Sequence, residues 1–382
     1  MEYRTAGESH GRALVAIVSG VPSGVPLLAE ELDTDLARRQ GGYGRGGRMA
    51  IESDRALIVS GVRFGLTIGS PVAITIANRD SANWTDVMAV AGERTEGGAV
   101  TAPRPGHADL AGCLRIGSTD ARDVLERASA RETAARVAAG GVAKAFLATL
   151  GVCVHSWVER IGDVAVGPYD PDSVDTTAVS ASDVRCPDPA AAVQMRAAID
   201  AARADGESLG GVVAVAADGL VPGLGSYAER PRGLDALLAS ALMSIPAIKG
   251  VEFGDGFAAA SRPGSQVHDP IVLDAPGQVH RATNHAGGLE GGLTNGEWLV
   301  ARIAMKPIPT LTRPLSTVDL VTGEPCDAAH ERSDTCAVPA AGVVAEAEMA
   351  LVLADAYTRM FGDTCVEDIR AALDRYRARI GR

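Results

Sequence analysis

Aromatic residues and positive charge are both scarce in this chain of 382 residues. Phe, Trp and Tyr make up 4% of it, so few side chains are available on which single-stranded bases could stack. Acidic residues outnumber basic ones, and the formal net charge of −12 disfavours a phosphate backbone as the main partner. The sequence therefore predicts no nucleic-acid partner.

Paired cysteine motifs and long apolar runs are also missing. The six cysteines include no C-x-x-C pair, so we expect neither a disulfide framework nor a metal site. Reduced thiols fit a cytoplasmic protein. No apolar run reaches ~18 residues, and the N-terminus lacks a signal-peptide pattern, so we expect no membrane partner.

Glycine is abundant, at 44 residues, and short apolar runs bounded by glycine or proline recur along the chain. These runs predict strands at 13–20, 55–61, 70–78, 210–219 and 297–307. Several lie in adjacent pairs with short connections, which favours antiparallel sheets over parallel ones.

Helical periodicity is interleaved with the strands. It predicts helices at 27–40, 129–151, 188–206, 231–244, 339–362 and 366–380. The polar stretch 163–190 is expected to run over the surface. We predict an α+β fold in one large domain that spans residues 1–382.

Residues 7–11, GESHG, match the G-x-S-x-G pattern of a serine-hydrolase nucleophile elbow. That elbow needs a buried strand before the serine and a helix after it, but little sequence precedes Gly7 and strand-like sequence follows Gly11. We therefore reject Ser9 as a nucleophile. His10 is the better candidate, because flanking glycines leave room for a ligand and imidazole titrates near neutral pH.

Residues 42–47, GYGRGG, match the dinucleotide fingerprint G-x-G-x-x-G but follow a helical pattern, so a Rossmann site is not predicted. Four arginines crowd this stretch: Arg38, Arg39, Arg45 and Arg48. Guanidinium and backbone N–H groups there can converge on one anion. Taken alone, the stretch is equally compatible with a solvated basic loop.

Ser129 and Glu132 form an S-x-x-E capping box that predicts a helix start at Ala130. Arg127 and Arg131 flank this helix N-terminus, whose free N–H groups already favour an anion. A capped helix with exposed arginines would leave two cations beside a positive dipole end. A bound anionic ligand is therefore the favoured interpretation.

Further titratable side chains lie in loops with restricted backbones. His107 follows two prolines and a glycine, Lys306 leaves a predicted strand, and Asp334 precedes a long helix. None of them has metal-ligand spacing or the context of a cysteine nucleophile. The combination suits acid–base chemistry on a polyanionic small molecule.

Eight segments together resemble the chorismate synthase family and follow the family's order from residue 3 to about 360. They are AGESHGRALVAIVSGVPSG, ARRQGGYGRGGRM, RPGHADLAG, ERASARETAARVAAG, AIKGVEFGDGF, NHAGGLEGGLTNG, MKPIPT and RSDTCAVPAAGVVAEAEMA. So many motifs in order are far more specific than any single pattern above.

The resemblance implies a shikimate-pathway lyase that converts 5-enolpyruvylshikimate 3-phosphate to chorismate by 1,4-anti elimination of phosphate. The family requires reduced FMN although the reaction is redox neutral, and some members reduce their flavin with NADPH. The implied fold is a β-α-β sandwich, with antiparallel sheets flanking a central helical layer, assembled as a homotetramer. This fold agrees with the α+β prediction and adds the layer order.

The resemblance also implies roles for individual residues. His10 would protonate the departing phosphate, His107 would donate a proton to the reduced flavin, and Asp334 would assist proton removal at the flavin N5 side. Residues that match the family's FMN-contact segments are Arg127, Ala128, Ser129, Pro246, Ala247, Gly291, Lys306, Pro307, Ile308, Pro309, Thr310 and Arg332. Phosphate groups of the substrate or of NADP would be bound by Arg39, Arg45, Arg48 and Arg131.

Pro246 and Pro309 depart from the family pattern, which usually has an amide and a hydroxyl side chain there, and so bear on FMN affinity. Two other functions stay open from the residues. A flavin reductase or another FMN oxidoreductase would use the same pocket but would consume reductant at every turnover. A non-catalytic FMN- or anion-binding protein would release no phosphate.

Overall fold

The structure is a computed structural model that describes residues 1–47, 52–94, 97–273, 279–331 and 333–381. Its strands are β1 (Glu2–Ala6), β2 (Ala13–Ser19), β3 (Ala56–Ser60), β4 (Val62–Arg63), β5 (Leu66–Thr67), β6 (Val72–Ala77), β7 (Cys153–Ile161), β8 (Val164–Ala165), β9 (Gly211–Asp218), β10 (Ile248–Phe253), β11 (Ile271–Leu273), β12 (Val279–Arg281), β13 (Leu289–Glu290), β14 (Leu293–Thr294), β15 (Leu299–Met305), β16 (Ser316–Val318) and β17 (Pro325–Asp327). Its helices are α1 (Ala29–Gln40), α2 (Asp109–Ile116), α3 (Arg122–Ala128), α4 (Thr133–Ala148), α5 (Thr176–Ala181), α6 (Pro189–Asp205), α7 (Leu234–Met243), α8 (Gly256–Ala259), α9 (Val338–Phe361) and α10 (Val366–Ile380).

One antiparallel sheet has the strand order β1-β2-β6-β3. Successive residues of a strand point to opposite faces, and this alternation is visible in β2 and β6. The inward-facing side chains are almost fully buried: Leu14, Ala16, Val18, Val72, Ile74 and Ile76. This sheet therefore closes one side of the core.

A second antiparallel sheet has the order β10-β15-β9-β7-β8. Its inner face packs on helices. Its outer face is partly covered by the polar stretch 163–190, where Val174 and Val179 join a small cluster around Trp157. The prediction that this stretch runs over the surface is right for most of it but wrong for 184–186, which are buried, and Tyr169 is a third side chain of the stretch in this cover.

The helical layer lies between the two sheets. Helix α4 packs against β2 and β6 of the first sheet, α9 packs against β7 and β9 of the second, and α4 and α9 pack against each other. Helix α1 contacts both α4 and α9. The result is the expected α+β fold, a β-α-β sandwich with antiparallel outer sheets.

The two central helices approach closely at Gly140 of α4. A Cβ atom built on Gly140 would lie 2.2 Å from Cβ of Ala347 on α9, a distance that real Cβ atoms do not reach. A glycine there lets the helix backbones come together where any larger residue would push them apart.

A fully buried carboxylate, Glu346 of α9, joins the helical layer to its neighbours. Its oxygens lie 2.7 Å from Arg38 Nη2 and 2.6 Å from Lys144 Nζ, and Ser156 and Arg185 also donate to it. Burial alone would raise the pKa of Glu346, but these cations hold that pKa well below its usual range. The charge is therefore compensated inside the core.

Several elements escaped the sequence patterns, among them α2 and α3 beside the site and β7 in the second sheet. Helices α2 and α3 have eight and seven residues, too short for a clear 3.6-residue periodicity. Strand β7 reads CVHSWVERI, in which polar residues interrupt the apolar pattern. Within the described ranges, no helix is long and apolar enough to cross a membrane.

Candidate active site

A cavity of about 390 Å³ lies beside the start of α4, where the turn after β1 meets the segments 305–310 and 333–341. Its volume is in the range of small-molecule sites, roughly 300–1,000 Å³. Part of its wall is apolar and comes from Leu125, Ile245, Met305, Ala337 and Val344. The remaining wall carries the basic and titratable side chains described below.

His10 is held in this wall by one carboxylate. The ring Nδ1 lies 2.8 Å from Glu126 Oε1, and the backbone N–H of His10 donates to Glu126 Oε2 at 2.8 Å. Both side chains are buried. Because an ionised carboxylate can only accept, Nδ1 carries the proton, and Nε2 is the nitrogen left to exchange a proton with a ligand.

Two further side chains fix this pair. The ring of Trp84 stacks on the His10 ring with centroids 4.0 Å apart, and Arg122 lies over the Trp84 ring at 5.0 Å. Arg122 Nη1 also donates to Glu126 Oε1 at 3.0 Å, and its Nη2 reaches Glu331 of the cavity wall. The imidazole is therefore held at both its edge and its face.

His107 has a carboxylate partner of its own. Its Nδ1 lies 2.5 Å from Asp109 Oδ1, and Arg104 donates from Nε to Asp109 Oδ2 at 2.8 Å. Burial of Asp109 would by itself raise its pKa, but hydrogen bonds from His107 and Arg104 hold that pKa well below its usual range. Arg104 Nη2 also lies 3.1 Å from Nδ1, but the ionised Asp109 oxygen is closer, at 2.5 Å. We therefore assign the proton to Nδ1, which leaves Nε2 for a ligand.

Arg39 and Arg131 are both buried in the wall and share one carboxylate, Asp54. Nη1 of Arg131 lies 2.6 Å from Asp54 Oδ1, and Nη1 of Arg39 lies 3.4 Å from Oδ2. Burial lowers the pKa of Arg39; Asp54 opposes this, and the charges of Arg131 and Arg45 lower it further. An anionic ligand would compensate this excess of positive charge.

The position of Nη2 of Arg131 also indicates that this wall binds an anion. The atom is buried without a hydrogen-bond partner among the described residues, and Glu52 Oε2 lies 3.9 Å away. A buried guanidinium nitrogen without an acceptor is costly, and an oxygen of a bound anion would satisfy it.

Asp334 borders the glycine-rich stretch. Its Oδ2 lies 3.2 Å from Arg45 Nη1, and its Oδ1 accepts the backbone N–H of Gly46 at 2.7 Å. Both side chains line the cavity. The glycine-rich loop around Arg45 and the segment that carries Asp334, just before α9, therefore meet at one site, although they lie almost 300 residues apart in the chain.

Two segments from later in the chain, 246–247 and 306–310, also border the cavity, and they contribute main-chain groups and the cation of Lys306. Ala247 has a φ of 70°, a left-handed conformation that is strained for alanine. Its carbonyl accepts the N–H of Lys306 at 3.0 Å, and Lys306 Nζ donates to the carbonyl of Gly106. Burial and Lys249 lower the pKa of Lys306.

Most of the residues predicted from the sequence meet at this cavity. Those that line it are His10, Arg39, Arg45, His107, Ala128, Ser129, Arg131, Pro246, Ala247, Lys306, Ile308, Pro309, Thr310 and Asp334. Three others do not line it. Arg127 donates to the carbonyl oxygens of Thr5 and Gly7, Gly291 lies in the β13–β14 turn, and Pro307 is exposed. Arg48 and Arg332 lie outside the described residues.

The region around Ser129 also differs in detail from the capping-box prediction. Ser129 Oγ accepts the N–H of Arg131, but this opens a 3₁₀ turn over Ala130–Glu132, and α4 begins at Thr133. The carboxylate of Glu132 binds Thr5 and Arg136 instead of closing the box. Arg131 has a protein carboxylate as partner, so its charge is only partly left to a ligand.

Sequence reasoning missed the carboxylates behind the histidines, Glu126 and Asp109, and also Arg104 and Trp84. Asp109 could have been noticed as an acid two residues after His107. Glu126 gives no local signal, because it lies 116 residues from His10.

Two carboxylate-held histidines at one basic, partly apolar cavity define an enzyme that transfers protons on an anionic small molecule. The family model described as chorismate synthase matches residues 1–358. The chain is 56% identical over 377 residues to the chorismate synthase of Moorella thermoacetica, covering 99% of this chain and 98% of that one. It is 55% identical over 377 residues to that of Symbiobacterium thermophilum, covering 96% of each.

A crystal structure of chorismate synthase is similar too, with a TM-score of 0.80, 40% identity, and coverage of 99% of this chain and 98% of that chain. The chain belongs to the chorismate synthase family. It is a lyase, and its reaction converts 5-enolpyruvylshikimate 3-phosphate to chorismate. Membership of this family implies the use of a reduced flavin.

Proposed function

We propose that His10 is the general acid of this elimination and protonates the departing phosphate. The observation that carries the proposal is the pairing of His10 with a buried carboxylate at a cavity rich in arginine. Glu126 stabilises the protonated imidazole, and Nε2 is the atom that gives up the proton. The guanidinium groups of Arg39, Arg45 and Arg131 neutralise the phosphate and carboxylate charges of the substrate.

We assign the phosphate-binding role also to Arg48, which lies outside the described residues, because its segment resembles that of the family. In this elimination the C–O bond breaks and its electron pair leaves with phosphate, while the electrons of the C6–H bond stay in the ring to form the new double bond and the C6 proton is lost to a base. Fixed positive charge placed before the reaction stabilises that developing charge without reorganisation. Arg131 is suited to this because its Nη2, which has no hydrogen-bond partner among the described residues, can donate to a phosphate oxygen.

The flavin is proposed to be reduced FMN, which when bound supplies transient electron density while the C–O bond breaks. The cavity fits such a group, because it combines an apolar wall for a planar ring with the Lys306 ammonium and the polar side chains of Ser129 and Thr310. Residues proposed to hold it that line the cavity are Ala128, Ser129, Pro246, Ala247, Lys306, Ile308, Pro309 and Thr310. The proposed set also includes Arg127, Gly291 and Pro307, which do not line the cavity of this single chain, and Arg332, which lies outside the described residues. Prolines at 246 and 309 offer no side-chain donor, which limits the hydrogen bonds available there.

His107 and Asp334 are proposed as the other two proton-transfer groups. His107, with its imidazole fixed by Asp109 and Arg104, would donate a proton to the reduced flavin. Asp334, oriented by Arg45 and the N–H of Gly46, would assist proton removal at the flavin N5 side. Asp334 is therefore proposed to act as a base and His107 as an acid.

We also propose that NADPH can serve as reductant, with Arg39 and Arg45 binding its phosphate. Anaerobic oxidation of NADPH by the protein with FMN tests this. A rate that is unchanged in Arg45→Ala would contradict it.

Residues 1–382 are proposed to form one domain of a cytoplasmic homotetramer. The outer face of the first sheet exposes large apolar side chains, among them Ile17, Leu57 and Val59. Such a patch is typical of a subunit interface. Light scattering coupled to size exclusion measures the mass, and a monomer at micromolar concentration would overturn the proposal.

The catalytic assignment is tested by anaerobic phosphate release from the enolpyruvyl substrate with pre-reduced FMN. We expect phosphate without net loss of reductant, whereas a flavin reductase would consume reductant at every turnover. His10→Ala should lower turnover by ~10²–10⁴ if His10 is a general acid. His268→Ala changes an exposed histidine and serves as the control. A loss below about tenfold in His10→Ala would overturn the role.

A further inference from the structure

A cluster of three side chains lies on the outer face of the second sheet, away from the cavity. Cys153 and His155 point to this face from the start of β7, and Asp218 points to it from the end of β9, where it pairs with Cys153 in the register. The thiol sulfur, a ring nitrogen and a carboxylate oxygen all lie within 4.8 Å of one another. None of the three lines the cavity.

We propose that Cys153, His155 and Asp218 bind a thiophilic divalent transition-metal ion, with Zn²⁺ as the best match. Thiolate, imidazole and carboxylate together are a zinc donor set, whereas Mg²⁺ and Ca²⁺ require oxygen ligands. Three protein ligands leave the fourth tetrahedral position to water. The site is distinct from the elimination chemistry and does not depend on it.

The geometry needs small side-chain adjustments. Zinc bonds of about 2.0–2.3 Å place tetrahedral ligand atoms about 3.3–3.8 Å apart. The three ligand atoms here lie within 4.8 Å of one another, so side-chain rotations that move them by about 1 Å would bring them to these distances around an ion. Cys153 is exposed and free to make this adjustment, while the ladder between β7 and β9 already fixes the backbones.

Asp218 is oriented for the task by its own hydrogen bond. Its Oδ1 accepts the backbone N–H of Cys153 at 3.2 Å, which leaves Oδ2 for a metal ion. An outer hydrogen bond of this kind fixes a ligating carboxylate. The ligands therefore combine a mobile thiol with an anchored carboxylate.

A divalent cation between the Cys153 thiolate and the Asp218 carboxylate would compensate both negative charges. On binding, the S–H bond breaks, the metal–sulfur bond forms, and one proton passes to the buffer.

Two tryptophans give the site natural reporters. The Trp298 ring centroid lies 6.3 Å from that of His155, and Trp157 follows His155 two residues along the same face of β7. A paramagnetic ion bound by His155 should quench their fluorescence. Because the ligands come from the ends of two neighbouring strands, binding should also raise the melting temperature of the folded protein.

The experiment is a titration of the metal-free full-length protein with Co²⁺ and Zn²⁺. We expect one Co²⁺ per chain with a thiolate-to-cobalt charge-transfer band, quenching of tryptophan fluorescence, release of one proton, and displacement by Zn²⁺. Cys153→Ser should abolish the band. His155→Ala and Asp218→Asn should each weaken binding by about 100-fold or more, since even lost outer-shell partners weaken metal affinity by 10–100-fold.

Cys365→Ser is the matched control, because Cys365 also lies beside a carboxylate, with its Sγ 3.2 Å from Asp368 Oδ2. It should keep the band. Phosphate release should stay normal in all four variants, which also shows that they are folded. No band in the wild-type protein, or a band that survives Cys153→Ser, would overturn the proposal. The proposal would also be overturned if neither His155→Ala nor Asp218→Asn changed the affinity for Co²⁺.

Discussion

Glu126→Gln should turn His10 from an efficient acid into a poor one. In the structure both oxygens of Glu126 are used by His10, at 2.8 Å each, and the carboxylate is 3% exposed. Burial would raise the pKa of Glu126, but its hydrogen bonds and charge interaction with His10 lower it. Glu126→Gln removes this charge and replaces one accepting oxygen by a donating NH₂ group.

The magnitude follows from the type of bond that is lost. A buried hydrogen bond to a charged group contributes about 1.5–3 kcal/mol, which corresponds to a factor of about 10–150. We therefore expect kcat of Glu126→Gln to fall about 10- to 150-fold while KM changes less than about threefold. The rate of this variant should recover as the pH is lowered, because a higher proton activity offsets the missing carboxylate.

The assay is phosphate release with pre-reduced FMN, measured as kcat and KM between pH 5.5 and pH 9 (about the range in which imidazole titrates). Glu126→Asp keeps the charge and should retain the pH dependence of the wild type at a reduced rate. Glu132→Gln is the matched control, since Glu132 is also a buried carboxylate but binds Thr5 and Arg136. A kcat within twofold of wild type, or an equal loss at every pH, would refute the reasoning.

Three other changes test the fold by urea denaturation. Glu346→Gln should cost about 3–5 kcal/mol because it leaves buried cations uncompensated. Because the pKa of Glu346 is depressed in the folded protein, the wild type should have the larger free energy of unfolding above about pH 4.3, and the difference should disappear on acidification. Equal free energies of unfolding at pH 7 would contradict this. Gly140→Ala should cost about 1–3 kcal/mol, against no more than about 0.5 for Gly167→Ala, where a Cβ meets no described atom within 4 Å. Ala247→Gly should stabilise by about 1 kcal/mol, and a loss of stability would show that its φ of 70° is not strained.

The parts of the fold that carry strong periodicity could be predicted from the sequence. Strands β2, β6, β9 and β15 and helices α1, α9 and α10 lie where alternation or 3.6-residue spacing indicated them. Helices α2 and α3 could not be found this way, because a helix of two turns has too few positions to show a stripe. Both nevertheless carry site residues, since Asp109 begins α2 and Glu126 lies in α3.

Some residues of the site could also be predicted from the sequence, and others could not. Residues within a motif, such as His10, His107 and Asp334, could be named as candidates because their flanking glycines and prolines restrict the backbone. Their partners could not, because a carboxylate recruited from another element is specified by the fold and not by local spacing. The proposed metal site shows the same limit, because Cys153 and Asp218 become neighbours only through strand pairing over 65 residues.

The GESHG pattern shows why a motif can match one chemistry and serve another. Gly7 has a φ of 106°, and a Cβ there would lie 2.4 Å from the carbonyl oxygen of Ala13, so the turn after β1 requires glycine. A nucleophile elbow needs the same kind of tight turn to expose its serine. Here the turn buries Ser9, whose N–H donates to the Glu126 carbonyl, and sets His10 against the carboxylate of the same residue. The shared feature is the backbone, and the chemistry depends on which side chain the partner element meets.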